Sequence, residues 1–144
     1  MSLFDAIDIS ASGLTANRTR MDVTAENLAN AETTRGANGQ PYRRQEVVLQ
    51  QVGGFGAALA GAMGHTSAAG GVQVAGIVND PTPNQLVYDP GNPDADAKGY
   101  VAMPNVNPVT EMVDMIDESR SYEANVTAMN TSKSMYQKTL DLLK

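Results

Sequence analysis

Residues 3–31, LFDAIDISASGLTANRTRMDVTAENLANA, place small or apolar side chains at alternating spacings of three and four residues. This spacing is typical of a helix with one coiled-coil face, so it predicts a helix from residue 3 to about residue 31. The interior contains Ser, Thr and Gly, which favour helix weakly, and we expect packing against a partner to hold the helix. The predicted face consists of Phe4, Ile7, Ala11, Leu14, Met21, Ala25 and Leu28, with Arg18 as its one interruption.

A second and longer helix is predicted for residues 108–143. Asn107 is a favourable N-cap, and Pro108 suits the first helical position. Acidic side chains crowd the first half of this helix and lysines lie in its second half, a distribution that follows the helix dipole. Its coiled-coil face contains Met112, Met115, Ser119, Tyr122, Val126, Met129, Lys133, Tyr136, Leu140 and Leu143.

The middle of the chain, residues 32–107, has a different character. It contains most of the glycines and prolines, which interrupt regular structure. Short alternating apolar runs predict strands, and a Gly/Ala-rich tract between the first two predicts a mobile loop. We predict strands over residues 42–52, 72–78 and 85–88, the loop over residues 53–71, and an extended, irregular segment over residues 80–108.

These predictions give a mainly α-helical fold with a small β insertion. Residues 1–31 and 108–144 form one domain in which the two long helices pair as a coiled coil, and residues 32–107 form an extended, β-hairpin-like middle region. A two-helix hairpin leaves further apolar residues outside, and such stripes usually mark partner surfaces. Contacts between different surfaces of successive copies generate an open filament, whereas the spacing alone favours a helical adaptor or bundle over a filament. The residues left outside are Leu3, Ile9, Val23, Val109, Val113 and Ile116.

Composition also indicates dependence on neighbours. Leu, Ile, Val and Phe number only 28 of 144 residues. This share approaches the range in which burial of apolar side chains within one chain no longer compensates the conformational entropy lost on folding. The net charge of −6 disfavours binding to nucleic acid, and no apolar run approaches the roughly 20 residues of a membrane span. Asp5 and Asp8 lie where a signal peptide is apolar, so we expect export, if it occurs, without a cleaved signal peptide.

The sequence contains no group of residues suited to catalysis or metal binding. It has no Cys, and its single His, His65, lies within the Gly/Ala-rich tract. Asp89, Asn92, Asp94 and Asp96 do not have EF-hand spacing, and we interpret them as a solvated turn. We therefore expect no enzyme activity, no cofactor and no metal site.

Three stretches resemble a known family. Ser10–Thr34, SASGLTANRTRMDVTAENLANAETT, resembles the N-terminal signature of the axial rod and hook proteins of the bacterial flagellum, with Asn27–Asn30 (NLAN) as its characteristic run. Residues 88–108, YDPGNPDADAKGYVAMPNVNP, and residues 106–135, VNPVTEMVDMIDESRSYEANVTAMNTSKSM, resemble the proximal rod branch of that family. Together these stretches cover both predicted helices and the approach to the second.

The resemblance implies a structural role. Members of this family pass unfolded through the flagellar export apparatus and assemble helically as the periplasmic rod, which transmits torque between motor and hook. Their paired terminal helices surround the export channel, and the middle segment packs outside. The implied partners are copies of the chain, other rod proteins, the rod-base adaptor and the export apparatus, without nucleic acid and without membrane insertion. A soluble coiled-coil adaptor or an export chaperone is the alternative reading.

Roles for individual residues follow as hypotheses. The coiled-coil face of the first predicted helix is expected to pack on that of the second helix, or on the equivalent residues of neighbouring subunits. Asn27 and Asn30 are candidates to bind the last carbonyl groups of the first helix or an adjacent chain. Arg120 and Glu123 are candidates for an ion pair between subunits. Residues 42–44 are candidates to bind a neighbouring subunit through their exposed backbone. The predicted packing residues are Ile7, Leu14, Met21, Asn27, Leu28, Asn30, Met112, Met115, Arg120, Tyr122, Glu123, Val126, Met129, Tyr136 and Leu140.

Overall fold

The computed structural model describes residues 3–36, 38–52, 63 and 70–142, and it is mainly helical with a small β part, as predicted. Most of the Gly/Ala-rich tract, with His65, lies outside the described residues, so the predicted loop stays a prediction. Over the described residues, neither helix combines the length and apolarity required to cross a bilayer. The elements are α1 (Leu3–Ala29), β1 (Gln45–Gln51), β2 (Val72–Asn79), β3 (Gln85–Tyr88), β4 (Tyr100–Met103) and α2 (Pro108–Asp141).

Both helices begin and end close to the predicted positions. The Asn107 side-chain oxygen accepts the backbone N–H groups of Val109 at 3.0 Å and of Thr110 at 3.4 Å, which confirms Asn107 as the N-cap of α2. At the end of α1, the Asn30 side-chain amide donates to the carbonyl of Glu26 at 2.9 Å. This bond confirms the prediction that Asn30 satisfies a last carbonyl of α1.

The strands form two separate two-stranded sheets, β1–β2 and β3–β4. In the first sheet, Val52 N–H donates to the carbonyl of Gly71 at 3.0 Å, and Asp80 N–H donates to that of Arg44 at 2.8 Å, so the strands are antiparallel. The second sheet is also antiparallel and pairs Gln85 with Met103.

The prediction of an irregular segment over residues 80–108 was wrong for β4. The chain reverses before this strand because Gly99 has a φ of 82°, a conformation that Gly adopts easily. The carboxylate of Asp96 accepts the N–H groups of Lys98 at 2.8 Å and Tyr100 at 2.9 Å, which holds the reversal together. No proline lies within residues 100–103, so that short stretch pairs freely with β3.

The acidic run before β4 forms a series of turns, as predicted. Asp89 accepts the N–H of Gly91 at 3.2 Å, and Asn92 accepts that of Asp94 at 3.0 Å, in the pattern of Asx turns. Their side-chain oxygens are thus engaged by the local backbone.

The chain divides into two compact units. The first contains Met1–Thr19, Val48–Gly76 and Glu118–Lys144, and the second contains Arg20–Val47 and Ile77–Asp117. Buried apolar side chains of the second unit include Val23, Val101 and Val106, and Ala16 is buried in the first. These are small side chains, so the core of each unit depends heavily on polar groups that are also buried.

In the first unit, the start of β2 is attached to α1. Ser12 Oγ accepts the backbone N–H of Val72 at 3.1 Å and donates to the carbonyl of Ile9 at 2.7 Å. The neighbouring Gly71 has a φ of 90°, and a Cβ atom at this position would lie 2.5 Å from Ser12 Oγ. Only Gly therefore allows the backbone to approach α1 this closely.

Candidate functional site

A cluster of buried polar side chains occupies the centre of the second unit. Asn27, in the last turns of α1, and Glu111, in the first turn of α2, are each only 1% exposed. The Asn27 side-chain Nδ2 donates to Glu111 Oε2 at 3.0 Å. We call Asn27, Tyr42, Arg44 and Glu111 the polar cluster, because hydrogen bonds join all four.

Asn27 makes four hydrogen bonds with its side-chain amide. Nδ2 donates to the carbonyl of Gln45 at 2.9 Å as well as to Glu111, while Oδ1 accepts Tyr42 Oη–H and Gln45 N–H, both at 2.9 Å. Two donors and two acceptors are the full capacity of an amide side chain. Asn27 therefore fastens the end of α1 to both the first residue of β1 and the start of α2.

Arg44 supplies the positive charge of the cluster. Its Nε donates to Glu111 Oε1 at 2.5 Å, Nη2 lies 3.4 Å from Asp114 Oδ2, and Nη1 pairs with Glu46. Partial burial opposes the charged guanidinium, but the hydrogen bond and negative charge of Glu111, with those of Glu46, outweigh burial and raise the pKa of Arg44. Arg44 thus compensates the carboxylate of Glu111, which would otherwise be buried alone.

The surroundings of Tyr42 favour its neutral form. Burial, reinforced by the negative charges of Glu26 and Glu111, raises the pKa of Tyr42 from 10.0 to about 12. The neutral hydroxyl is the form that donates to Asn27. Folding therefore retains a proton on Tyr42 that the unfolded chain releases near pH 10.

We expect the free energy of unfolding to fall as the pH rises from about 10 to about 12. In this interval the folded state binds more protons than the unfolded state, so the tyrosine contribution is complete below pH 10 and is lost above it. Tyr42→Phe lacks the hydroxyl that donates to Asn27, so its free energy of unfolding at neutral pH should be lower by about 1 kcal/mol. Because Phe does not titrate, the free energy of unfolding of this variant should also fall less steeply between about pH 10 and about pH 12.

Urea unfolding at several pH values measures this difference. Tyr88→Phe, at an exposed position of β3, is the control and should keep the alkaline slope of the parent chain. Equal slopes for the parent and Tyr42→Phe would contradict the assigned role of Tyr42.

The predicted packing residues lie mostly outside the fully buried core. On α1, Ile7, Ala11, Leu14, Met21 and Leu28 of the predicted face are half-buried and Ala25 is exposed. The deepest positions of α1 are Ala16, Asn17, Val23, Thr24 and Asn27. On α2, the deepest positions are Glu111 and Glu118. Both were absent from the predicted coiled-coil face and from the predicted packing residues. Half-buried predicted residues are Ile7, Leu14, Met21, Leu28, Asn30, Met115, Tyr122, Val126 and Met129, and exposed ones are Met112, Arg120, Glu123, Tyr136 and Leu140.

Two predictions on the polar residues need correction. Asn27 does not bind the last carbonyls of α1, because all four of its hydrogen-bonding positions are taken by β1, α2 and Tyr42. The backbone groups of Tyr42 and Arg44 are not free for a neighbour: Tyr42 N–H donates to the carbonyl of Thr33, and Arg44 N–H donates to the Asn105 side chain at 2.7 Å. Glu111 was missed, although its spacing from Met115 and Glu118 places it on the inward face of α2.

The chemistry of the polar cluster is structural. It contains an amide, a phenol, one cation and one carboxylate that satisfy each other, and it presents no unpaired nucleophile or base to a cleft. Across the described ranges, no three His, Asp or Glu side chains converge in a way that could hold a metal ion. The arrangement can fix the positions of three chain segments relative to each other within the second unit.

The start of α2 exposes a continuous apolar surface on the side away from Glu111. Its members recur at the spacing of one helical face and are about half exposed or more, with Val109 at 65%. This start patch consists of Val109, Met112, Val113 and Ile116.

Comparison with known sequences identifies both helices with one class of protein. A family described as flagella basal body rod protein matches residues 7–37, and a family described as flagellar basal body rod FlgEFG protein C-terminal matches residues 97–142. These ranges contain Asn27 and Glu111, respectively.

Relatives match over nearly the whole chain. The flagellar basal-body rod protein FlgC of Escherichia coli O6:H1 is 51% identical over 142 residues, covering 99% of this chain and 98% of the relative. FlgC of Bacillus subtilis strain 168 is 51% identical over 150 residues and covers 100% of both chains. FlgC of Borreliella burgdorferi is 45% identical over 156 residues, covering 100% of this chain and 99% of the relative.

Proposed function

The chain belongs to the family of flagellar basal-body rod proteins of the FlgC type and is a structural subunit of the rod, and from this we propose how it works. In this proposal the chain assembles helically in the periplasm, transmits motor torque and surrounds the export channel. The similarity to the FlgC relatives over nearly the full length of both chains is the observation that carries this proposal. Its partners in the assembly are copies of itself, other rod proteins, the rod-base adaptor and the export apparatus.

In this proposal the terminal helices make the contacts between subunits. The two family matches cover most of α1 and α2. The half-buried residues of the predicted faces leave area for a neighbour to cover, and the start patch is exposed in the single chain. We propose that α1 and α2 pair as a coiled coil and complete this pairing with helices of adjacent subunits.

The polar cluster supports the assembly indirectly. It holds the end of α1, the entry to β1 and the start of α2 in one arrangement, so the two helical segments of the second unit are fixed before a neighbour binds. A subunit that is already ordered there loses less conformational entropy on joining the rod.

Leu14→Asp and Met129→Asp are each expected to abolish incorporation into the rod and swimming motility. Both positions are half-buried on the predicted faces, and a carboxylate buried at a subunit contact costs several kcal/mol. Motility in a strain lacking its own copy of the protein, together with electron cryo-microscopy of isolated basal bodies, measures the effect. Wild-type swimming with either variant would contradict the packing proposal.

Thr15→Asp and Asn130→Asp are the matched controls. Each is exposed and adjacent to a tested residue on the same helix, so both should assemble nearly as well as the parent chain. Thermal unfolding of the purified variants separates loss of folding from loss of assembly, since the proposal requires Met129→Asp to fold and still be absent from the rod.

A further inference from the structure

A short loop after α1 contains the single Asn-Gly step of the chain, Asn38–Gly39. Asn38, Gly39 and Gln40 are all exposed, so water reaches this step. Apart from the chain neighbours of Gly39, no described atom lies within 4 Å of the position that a Cβ atom on this residue would take. The step is therefore open to solvent and is not covered by packed side chains.

The step carries the groups for a reaction within the chain. The backbone nitrogen of Gly39, after losing its proton to solvent, attacks the side-chain carbonyl carbon (Cγ) of Asn38 and closes a succinimide ring. The side-chain amino group takes up a proton and leaves as ammonia. Water then adds to either ring carbonyl and opens the ring to aspartate or isoaspartate, so an amide and a water molecule become a carboxylic acid and ammonia. Gly favours this attack because it has no Cβ atom to obstruct its nitrogen.

In the folded chain, backbone hydrogen bonds hold the loop closed around this step. Gly39 N–H donates to the carbonyl of Gly36 at 2.9 Å, and Gly36 N–H donates to the carbonyl of Gln40 at 2.8 Å. The first bond engages the proton that the attacking nitrogen must lose, and it directs that nitrogen toward Gly36. The loop must therefore open before the ring can close, whereas the unfolded chain needs no such opening.

We propose that Asn38 is a site of spontaneous hydrolytic deamidation that the folded loop protects and the unfolded chain exposes. The extent of conversion then reports how long a chain has been unfolded. The product carries one more negative charge, and isoaspartate also lengthens the backbone by one atom in the loop that leads into Tyr42 of the polar cluster. This inference does not depend on the proposed assembly into a rod.

Mass spectrometry of the purified full-length chain tests the site. Samples are held in slightly alkaline buffer with and without guanidinium chloride, circular dichroism identifies the folded samples, and the tryptic peptide that ends at Arg43 is followed over time. We expect Asn38 to convert at least about fivefold more slowly in the folded chain, the population shift that one net backbone hydrogen bond produces. Asn130, which precedes Thr131, is the internal control and should keep its amide in both samples.

Gly39→Ala separates the effect of the Asn-Gly step from the effect of the fold. Gly39 has a φ of 71°, at which Ala would strain the folded loop, so this variant is compared with the parent chain only in guanidinium chloride. We expect Asn38 to convert several-fold more slowly in the variant, because the added Cβ atom hinders attack by the nitrogen. Equal rates for the two chains would overturn the part assigned to Gly39.

Two further results would overturn the proposal. Equal rates of conversion in the folded and the unfolded chain would show that the hydrogen-bonded loop gives no protection. Retention of the Asn38 amide in guanidinium chloride, to the same extent as the Asn130 amide, would show that the step is not a deamidation site. Neither result bears on the rod role, which incorporation into basal bodies tests separately.

Discussion

Asn27→Asp is expected to destabilise the second unit by about 3–5 kcal/mol at neutral pH, the scale of an uncompensated buried charge. The substitution places a second carboxylate about 3 Å from the buried carboxylate of Glu111 and removes the amide that donates to it. It also removes the donor to the carbonyl of Gln45. Single domains are usually stable by only about 5–15 kcal/mol, so a large share of the folded population is lost.

Urea unfolding followed by circular dichroism measures this effect, and Asn30→Asp is the matched control. Asn30 lies one helical turn further on, in the same sequence run, but its amide binds an exposed carbonyl of α1 and faces no buried carboxylate. The control should therefore lose about 1 kcal/mol or less. Equal losses for the two variants would contradict the central place given to Asn27.

Glu111→Ala is the second substitution with a large expected effect, a loss of about 2–3 kcal/mol. It leaves the Nδ2 group of Asn27 with one partner fewer and removes the best-buried counter-charge of Arg44. The loss is smaller than for a fully isolated charge because Arg44 is one-fifth exposed and keeps Glu46 and Asp114 nearby. The same unfolding assay measures it.

Glu123→Ala and Glu111→Gln serve as comparisons for that variant. Glu123 is exposed on the same helix, and its removal should change stability by about 0.5 kcal/mol or less. Glu111→Gln keeps the shape and one acceptor, so its loss should lie between the other two. A loss for Glu111→Ala of under about 1 kcal/mol would mean only a helix-dipole contribution at the start of α2.

The helices could be predicted from the sequence because their information is local. The three-and-four spacing extends over both segments, and Asn107 with Pro108 marks the start of α2 to the residue. The inward face was harder to predict. Spacing identifies apolar side chains, whereas the deepest positions of α1 include Asn17, Thr24 and Asn27, which are polar. Asn27 is buried with all four of its side-chain hydrogen-bonding positions satisfied.

The polar cluster could not be predicted from local patterns. Asn27 and Glu111 are 84 residues apart in sequence, and Arg44 and Glu111 are 67 apart. Neither distance leaves a periodic signal, so the sequence offered only single polar residues at helix ends. For β4, the surrounding prolines obscured a four-residue strand whose reversal depends on Asp96 and Gly99.

The attachment of β2 to α1 bears on how this chain accommodates insertions. Val52 pairs with Gly71, and Ser12 holds Val72, so the two points between which residues 53–70 run are fixed independently of what lies between them. Lengthening a segment whose ends are already fixed costs little, about 0.6 kcal/mol for each doubling. A change in the length of this segment should therefore leave the pairing of Val52 with Gly71 and the contact of Ser12 with Val72 in place.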